Sequence, residues 1–229
     1  RDDLRIGLHE QVRRSVQRVH DELSRVRTLA TPAYGARSIG YDYDANDNRA
    51  EVRIGGNPPL MKTYDALDRA VELVHPDDHR SRYFYDAADR QIAVEDQRGL
   101  RTTYLYDGLG NLMRQTSPDT GTTNYRYDAA GNRLSVEDAA GRRTTYTYDA
   151  LDRIVHVGFD DSALDIDIDY DDTSLGDYQL GRLSRVRDGS GSRAWTYNAL
   201  GFAVGEASVV GTRAYTWLYD VDPTGKLLS

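Results

Sequence analysis

The chain has 229 residues and a net charge of -8, from 29 Lys and Arg against 37 Asp and Glu, and it contains no cysteine. The lack of cysteine excludes a disulfide framework and any cysteine-based metal or nucleophile site. No segment approaches the ~18 consecutive apolar residues of a membrane-spanning helix, and the acidic balance argues against a protein that binds nucleic acid.

The composition favours strands and tight turns. The chain has 17 Tyr against 3 Phe and 2 Trp, and 20 Gly against 6 Pro. Tyrosine is frequent in strands, and glycine in turns. Arg1 is not an initiator methionine and no signal peptide follows it, so we expect a piece of a longer chain or a processed one.

Residues 1–19 form an N-terminal segment that permits two interpretations. Apolar residues recur there at spacings of three and four, typical of one helical stripe: Leu4, Leu8, Val12, Val16 and Val19. However, residues 20–26 resemble the repeat described next, which a helix could not enter. We expect a strand, with a short helix over residues 2–12 as the alternative.

A repeat dominates residues 20–229. A Tyr-Asp pair recurs every 21 residues, five times in succession. The pairs are Tyr43-Asp44, Tyr64-Asp65, Tyr85-Asp86, Tyr106-Asp107, Tyr127-Asp128 and Tyr148-Asp149. The residue two before the tyrosine is aromatic in five of the six units, with Lys62 as the exception, and the residue five after it is always Asn or Arg.

Each 21-residue unit is interpreted as two short strands and two turns. Residues alternate on both sides of the turn at 138–142, so each strand with its turn takes about 10.5 residues, as in an antiparallel meander. The aspartate of the pair should open a turn by accepting backbone N–H groups. Gly110, Gly131 and Gly141 should supply the residue with positive φ, with Asp89 and Asp152 in that place where glycine is absent. The tyrosines of each Tyr-x-Tyr share one face, and we expect their rings to stack in a ladder.

Two segments raise the question of a metal site. His75 and His79 have a spacing that suits a metal on a helix, but Pro76 and the repeat register predict a solvated turn. Residues 160–177 hold eight aspartates. A calcium loop begun at Asp165 would need glycine where Tyr170 stands, so we expect a strand with a solvated acidic face, with weak calcium binding as the alternative.

Beyond the six regular units the repeat continues more loosely, at Tyr170-Asp171, Tyr197-Asn198 and Tyr219-Asp220. The gap of 27 residues between Tyr170 and Tyr197 predicts an insertion of about six within residues 173–180. The segment from Tyr219 to Leu227 is interpreted as one more repeat with a two-residue insertion. We predict no catalytic, cofactor or metal site, because the many paired carboxylates are explained by the turns.

These motifs resemble the RHS/YD-repeat family, whose unit reads approximately Gly-x-x-Thr-x-Tyr-x-Tyr-Asp-x-x-Gly-Arg-Leu. Residues 141–154 match it almost completely. The resemblance implies a β-sheet wound into a spiral shell around a cavity, which in bacteria commonly encloses a C-terminal toxin domain and in teneurins lies on the cell surface. Asp222, Pro223, Thr224 and Gly225 match only the first letters of the segment that closes such shells, so we expect shell wall without plug, protease or cargo.

The fold class expected is therefore all-β, an antiparallel meander of YD-repeat hairpins forming part of a spiral β-shell. The resemblance implies a non-catalytic segment, secreted or cell-surface associated, whose partner is a toxin or effector domain or the rest of the shell. Exposed strand edges also predict self-association. The alternative is a repeat module that binds carbohydrate or a cell surface through exposed tyrosines, and burial of these rings would argue against it.

Overall fold

The computed structural model describes residues 17–31 and 37–228. Within them it contains 19 strands, two 3₁₀ turns and no α-helix. The prediction of an all-β antiparallel meander is confirmed. The interpretations of residues 1–19 as strand or helix lie mostly outside the described residues, and residues 17–20 form a strand.

The chain divides into two compact units, residues 1–103 and 104–229. The strands of the first unit are β1 (Gln17–His20), β2 (Val26–Thr31), β3 (Arg37–Tyr43), β4 (Arg49–Ile54), β5 (Leu60–Tyr64), β6 (Ala70–Val74), β7 (Arg80–Tyr85), β8 (Gln91–Glu95) and β9 (Arg101–Tyr106), the last of which crosses the division. From β1 to β9 consecutive strands are antiparallel neighbours.

The second unit continues the same pattern. Its strands are β10 (Leu112–Ser117), β11 (Gly121–Tyr127), β12 (Arg133–Glu137), β13 (Arg143–Tyr148), β14 (Ile154–Gly158), β15 (Ile166–Tyr170), β16 (Leu183–Asp188), β17 (Gly191–Tyr197), β18 (Ala203–Val210) and β19 (Arg213–Leu218). From β10 to β19 consecutive strands are antiparallel neighbours. The 3₁₀ turns are Ser162–Leu164 and Thr173–Leu175.

A β-bulge marks the tyrosine of the Tyr-Asp pairs. The register shifts by one residue just before Tyr43, Tyr64 and Tyr85 in the first unit. The same shift precedes Tyr127, Tyr148, Tyr170 and Tyr197 in the second. A bulge adds local twist and re-aims the side chain beside it, so each shift orients a repeated tyrosine.

The two faces of each sheet differ in chemistry. One, which we call the tyrosine face, carries the repeated tyrosines with apolar partners: Tyr83 lies opposite Val94, and Tyr125 opposite Val136. The other, the ion-pair face, carries charged side chains such as Glu72, whose carboxylate binds Arg80 and Arg82 at 2.8 and 3.2 Å. The side chains of the tyrosine face are mostly half-buried.

Candidate functional surface

In the six regular units the aspartate of the Tyr-Asp pair opens the turn that follows. Asp65 accepts the backbone N–H groups of Leu67 and Arg69 on Oδ1, at 2.9 and 3.0 Å, and Arg69 Nε on Oδ2 at 2.8 Å. The hydrogen bond from Arg69 is the largest of the effects that lower the pKa of this carboxyl. Asp68 takes the left-handed conformation with φ 59°. The predicted turn role is therefore met at Asp65.

Other turns repeat this geometry. The aspartate accepts the N–H groups two and four residues later at Asp44, Asp86, Asp107, Asp128 and Asp149. Residues with positive φ close them at Asp47, Asp89, Gly110, Gly131 and Asp152. Asp138 forms the same turn over the predicted residues 138–142, and Asp96, which was not predicted, forms it too, both at the opposite strand ends. The Asp-x-x-Gly spacing that both turns share is the sequence signal that identifies them.

In several units the Asn or Arg five residues after the tyrosine links its turn to the next one. Arg69 donates from Nη1 to Asp89 Oδ1 at 2.6 Å and to the Asp86 carbonyl oxygen at 3.2 Å. Asn132 does the same with its amide, which lies 2.7 Å from Asp152 Oδ1. Arg153 binds Asp171 Oδ2 at 2.6 Å. We call these contacts turn links, and they give the Asn or Arg at this position a role between neighbouring turns.

A second link runs backward along the chain, through the tyrosine hydroxyl of the pair. The hydroxyl donates to a backbone carbonyl in the preceding repeat, on the first residue after the turn that follows that repeat's own Tyr-Asp pair or its equivalent. The pairs are Tyr43 with Val26 (2.8 Å), Tyr64 with Arg49 (2.9 Å), Tyr85 with Ala70 (3.0 Å), Tyr148 with Arg133 (2.9 Å) and Tyr197 with Leu183 (2.8 Å). We call these phenol links. Because each crosses from one repeat to its neighbour, the tyrosine hydroxyl holds successive units together.

The expected stacking of successive tyrosine rings is wrong at several rungs, where the ring lies against a guanidinium group. Arg25 lies 4.5 Å from the centroid of Tyr43, Arg69 4.9 Å from Tyr85, and Arg153 4.3 Å from Tyr170. Equivalent tyrosines stand on every second strand, about 9.6 Å apart, which exceeds the ~7 Å reach of ring–ring contact. The arginine of the turn link fills this gap with a cation–π contact.

The insertion after Tyr170-Asp171 keeps the turn intact around a longer loop. Asp171 N–H donates to the carbonyl of Arg182 at 3.1 Å, and Gly181 N–H donates to Asp171 Oδ1 at 2.5 Å. Gln179 anchors the loop: it is fully buried, and its amide donates to the Trp195 carbonyl at 3.1 Å. Asn198 forms the following turn in place of aspartate, accepting two backbone N–H groups.

The last repeat needs a correction. After Tyr219 it is Asp222, not Asp220, that opens the turn, because Asp222 Oδ1 accepts the N–H groups of Thr224 and Lys226 at 2.8 and 3.0 Å. The two-residue insertion therefore lies before the aspartate. The hydroxyl of Tyr219 lies 3.4 Å from the Glu206 carboxylate, so this tyrosine departs from the phenol links described above.

The acidic strand β15 alternates as predicted, but its aspartates have partners. Asp169 binds the guanidinium of Arg187, and Asp167 Oδ1 lies 2.8 Å from His156 Nδ1. The acidic face is therefore partly solvated, as Asp167 is 54% exposed, but its carboxylates also have side-chain partners. In the part of the chain that the structure describes, no group of three or more His, Asp or Glu could hold a metal ion.

The His75 and His79 pair lies in a turn. His75 N–H donates to the His79 carbonyl at 2.8 Å, and Asp78 has φ 64°. His75 Nε2 lies 3.2 Å from Ser81 Oγ, and His79 Nδ1 lies 3.1 Å from Asp77. His75 thus occupies the place that aspartate holds in other turns.

No helix among the described residues is long and apolar enough to cross a membrane.

The RHS repeat family model matches three overlapping segments, residues 85–122, 106–141 and 127–161. No curated protein matches the chain. Among solved structures, the crystal structure of TcdB2-TccC3 without its hypervariable C-terminal region is similar over 93% of this chain, with TM-score 0.69 and 15% identity. A second TcdB2-TccC3 crystal structure has TM-score 0.66 and 15% identity over 93% of the chain.

The Photorhabdus luminescens Tc holotoxin pore is also similar, with TM-score 0.59 and 13% identity over 84% of this chain. The chain spans only 13–14% of the length of these three structures. At such identities the likeness establishes the fold, and it agrees with the family match. Residues 85–161 of the chain match the RHS repeat model, as their Tyr-Asp pairs and turns predicted.

Proposed function

We propose that this chain is a non-catalytic wall segment of an RHS-repeat β-shell, and that the shell encapsulates or carries a toxin or effector polypeptide. The RHS repeats and the fold shared with TcdB2-TccC3 chains support this role. The partner would be the toxin or effector domain or the rest of the shell. A Tc holotoxin among the similar structures supports a secreted or cell-surface location.

The proposal rests on one observation: the polar groups of the repeat form hydrogen bonds with the neighbouring repeats. The Tyr85 hydroxyl binds the preceding repeat at Ala70, and Arg69 binds the following turn at Asp86 and Asp89. Contacts of this kind let a sheet extend by adding units, because each unit is stabilised by its neighbours. They leave few repeated tyrosines free to bind an external ligand.

The electrostatics of the turns also favour a scaffold. A catalytic acid needs a carboxyl whose pKa is raised toward neutrality. Here the hydrogen bond from Arg142 is the first of the effects that lower the pKa of Asp138. At Asp171 the first is the hydrogen bond from Arg153. These carboxylates therefore stay ionised, Asp138 bound within its own turn and Asp171 bound to Arg153 of the preceding turn.

Protease protection tests encapsulation. The full-length protein that contains this segment is digested briefly with trypsin at increasing urea, and its fragments are identified by mass spectrometry. We expect a fragment from outside the repeats to stay intact until the repeats unfold, as followed by tryptophan fluorescence. In the Tyr148→Ala variant, this protection should end at lower urea. Cleavage of that fragment at the same rate with folded and unfolded repeats would contradict encapsulation.

One observation favours carbohydrate binding as a second candidate. Tyr215 and Trp217 on β19 are 43% and 44% exposed, and their rings stack with centroids 5.9 Å apart. Exposed flat rings of this kind suit a sugar face. A glycan array with the chain and its Trp217→Ala variant tests this candidate: we expect glycan signals that the variant loses. The absence of glycan signals from the unmodified chain would reject it.

A further inference from the structure

Lys62 interrupts the aromatic positions of the tyrosine face. The residue two before the paired tyrosine is Tyr41, Tyr83, Tyr104, Tyr125 or Tyr146 in the other regular units. Lysine is also rare in this chain, which has only Lys62 and Lys226 against 27 arginines. A lysine side chain is thinner than a tyrosine ring, so the substitution opens space between neighbouring rings.

A cavity lies at this position in the first unit. Its volume is about 230 Å³, and Lys62, Leu73, Tyr83, Tyr85 and Gln91 contribute to its lining. Lys62 stands opposite Leu73 in the β5–β6 pairing. Tyr85 is fixed in place, because its hydroxyl binds the Ala70 carbonyl at 3.0 Å and Arg69 covers its ring at 4.9 Å. The walls are therefore largely apolar and held rigidly.

Lys62 carries a charge that its surroundings do not balance. Its side chain is half-buried, and it forms no ion pair or hydrogen bond with the residues that the structure describes. Glu72 also lines the cavity, but its carboxylate is held by Arg80 at 2.8 Å and Arg82 at 3.2 Å. A half-buried ammonium group beside an apolar cavity attracts an anion, because partial desolvation strengthens the charge interaction.

We propose that this cavity binds a single-ring aromatic carboxylate, with the ring among Leu73, Tyr83 and Tyr85 and the carboxylate on Lys62 Nζ. The size agrees with this class of ligand. A cavity of ~150 Å³ accepts a benzene ring, whereas drug-sized ligands need ~300 Å³ or more. A volume of about 230 Å³ holds one ring with a small anionic substituent. This site is independent of whatever polypeptide the repeats enclose.

The test uses phenylacetate as the probe and phenylacetamide as its neutral match. Both are titrated into the 229-residue chain, and binding is followed by NMR shifts of the lysine side chain and the tyrosine rings. We expect phenylacetate to bind at least tenfold more tightly than phenylacetamide. Equal affinity of the two probes, or no binding of phenylacetate, would overturn the proposal.

Substitutions at Lys62 separate binding from folding. Lys62→Tyr restores the aromatic residue of the other units, so it should fill the cavity, preserve the melting temperature and weaken phenylacetate binding at least tenfold. Lys62→Arg keeps the charge and should retain affinity within about threefold, whereas Lys62→Met should lose the preference for the anion. Unchanged phenylacetate binding in Lys62→Tyr or Lys62→Met would refute the site.

Discussion

The phenol link of Tyr197 can be broken by removing one oxygen atom. Tyr197→Phe keeps the ring but deletes the hydroxyl that donates to the Leu183 carbonyl at 2.8 Å. The net value of such a hydrogen bond is about 1 kcal/mol, and the cost rises if the carbonyl stays dry. Burial raises the pKa of the Tyr197 hydroxyl, with a smaller opposing effect from Arg182, so the group is partly shielded from water. We expect a loss of about 1 to 2 kcal/mol in the free energy of unfolding.

Removing the whole ring should cost more. Tyr197→Ala also deletes the half-buried ring, over which the Arg182 guanidinium lies at 5.5 Å from the centroid. Truncation of a buried aromatic side chain costs ~3 kcal/mol or more, and partial exposure places this site near the lower value. Urea titration followed by tryptophan fluorescence is a suitable assay, because Trp195 lies on the same strand two residues before Tyr197.

A matched control is available on β19. Tyr215 is 43% exposed, so Tyr215→Phe should change the free energy of unfolding by less than about 0.5 kcal/mol. The ordering expected is Tyr197→Ala, then Tyr197→Phe, then Tyr215→Phe, from most to least destabilising. If Tyr197→Phe were as neutral as Tyr215→Phe, the phenol link would contribute nothing and the account of unit-to-unit cohesion would be wrong.

Three further outcomes follow from the turns and edges. The pKa values of Asp65 and Asp171 are lowered in the folded chain, so these carboxylates stabilise it at pH values above the ordinary carboxyl pKa of 3.8. The urea midpoint of unfolding should therefore stay constant from pH 7 to 5 and decrease below about pH 4. A decrease between pH 7 and 5 would contradict this. Asp167→Asn should destabilise the chain slightly, since the His156 ring loses its carboxylate partner at 2.8 Å, and calcium should not raise the melting temperature of either form. Light scattering after size exclusion should detect association that grows with concentration, as expected for an exposed edge at β19, and a strict monomer at high concentration would argue against it.

The regular part of the fold was predictable from the sequence because its period is short and each turn is marked by Asp, Asn or Gly at a fixed position. A period of 21 residues has room for two strands and two turns but not for a helix with its connections. The insertion was predictable because the spacing of the paired tyrosines grows to 27 residues there, against 22 on either side. Its loop makes Asp171 pair with Arg182, eleven residues later, instead of with the residue four later.

The contacts between repeats were not predictable, because they depend on register and side-chain reach. The Asn or Arg at the fifth position was visible as a pattern, but its bond to the next turn appears only when strands are paired. The same holds for Asp169 and Arg187, which are 18 residues apart and meet across β15 and β16. Asp222 replaces Asp220 because turn geometry, not adjacency to tyrosine, selects the aspartate.

The two tyrosine positions of the repeat are under different physical demands. The paired position is tyrosine at all nine places from Tyr43 to Tyr219, and several of these hydroxyls bind a backbone carbonyl, which phenylalanine could not do. The position two before it mainly fills space, and it accepts Lys62, Ile168, Trp195 and Trp217. Variation at the filling position can therefore alter the chemistry of the tyrosine face while the phenol links stay intact. This is why Lys62 can open a charged cavity in a sheet whose turns on either side, at Asp65 and Asp86, keep the geometry of the other units.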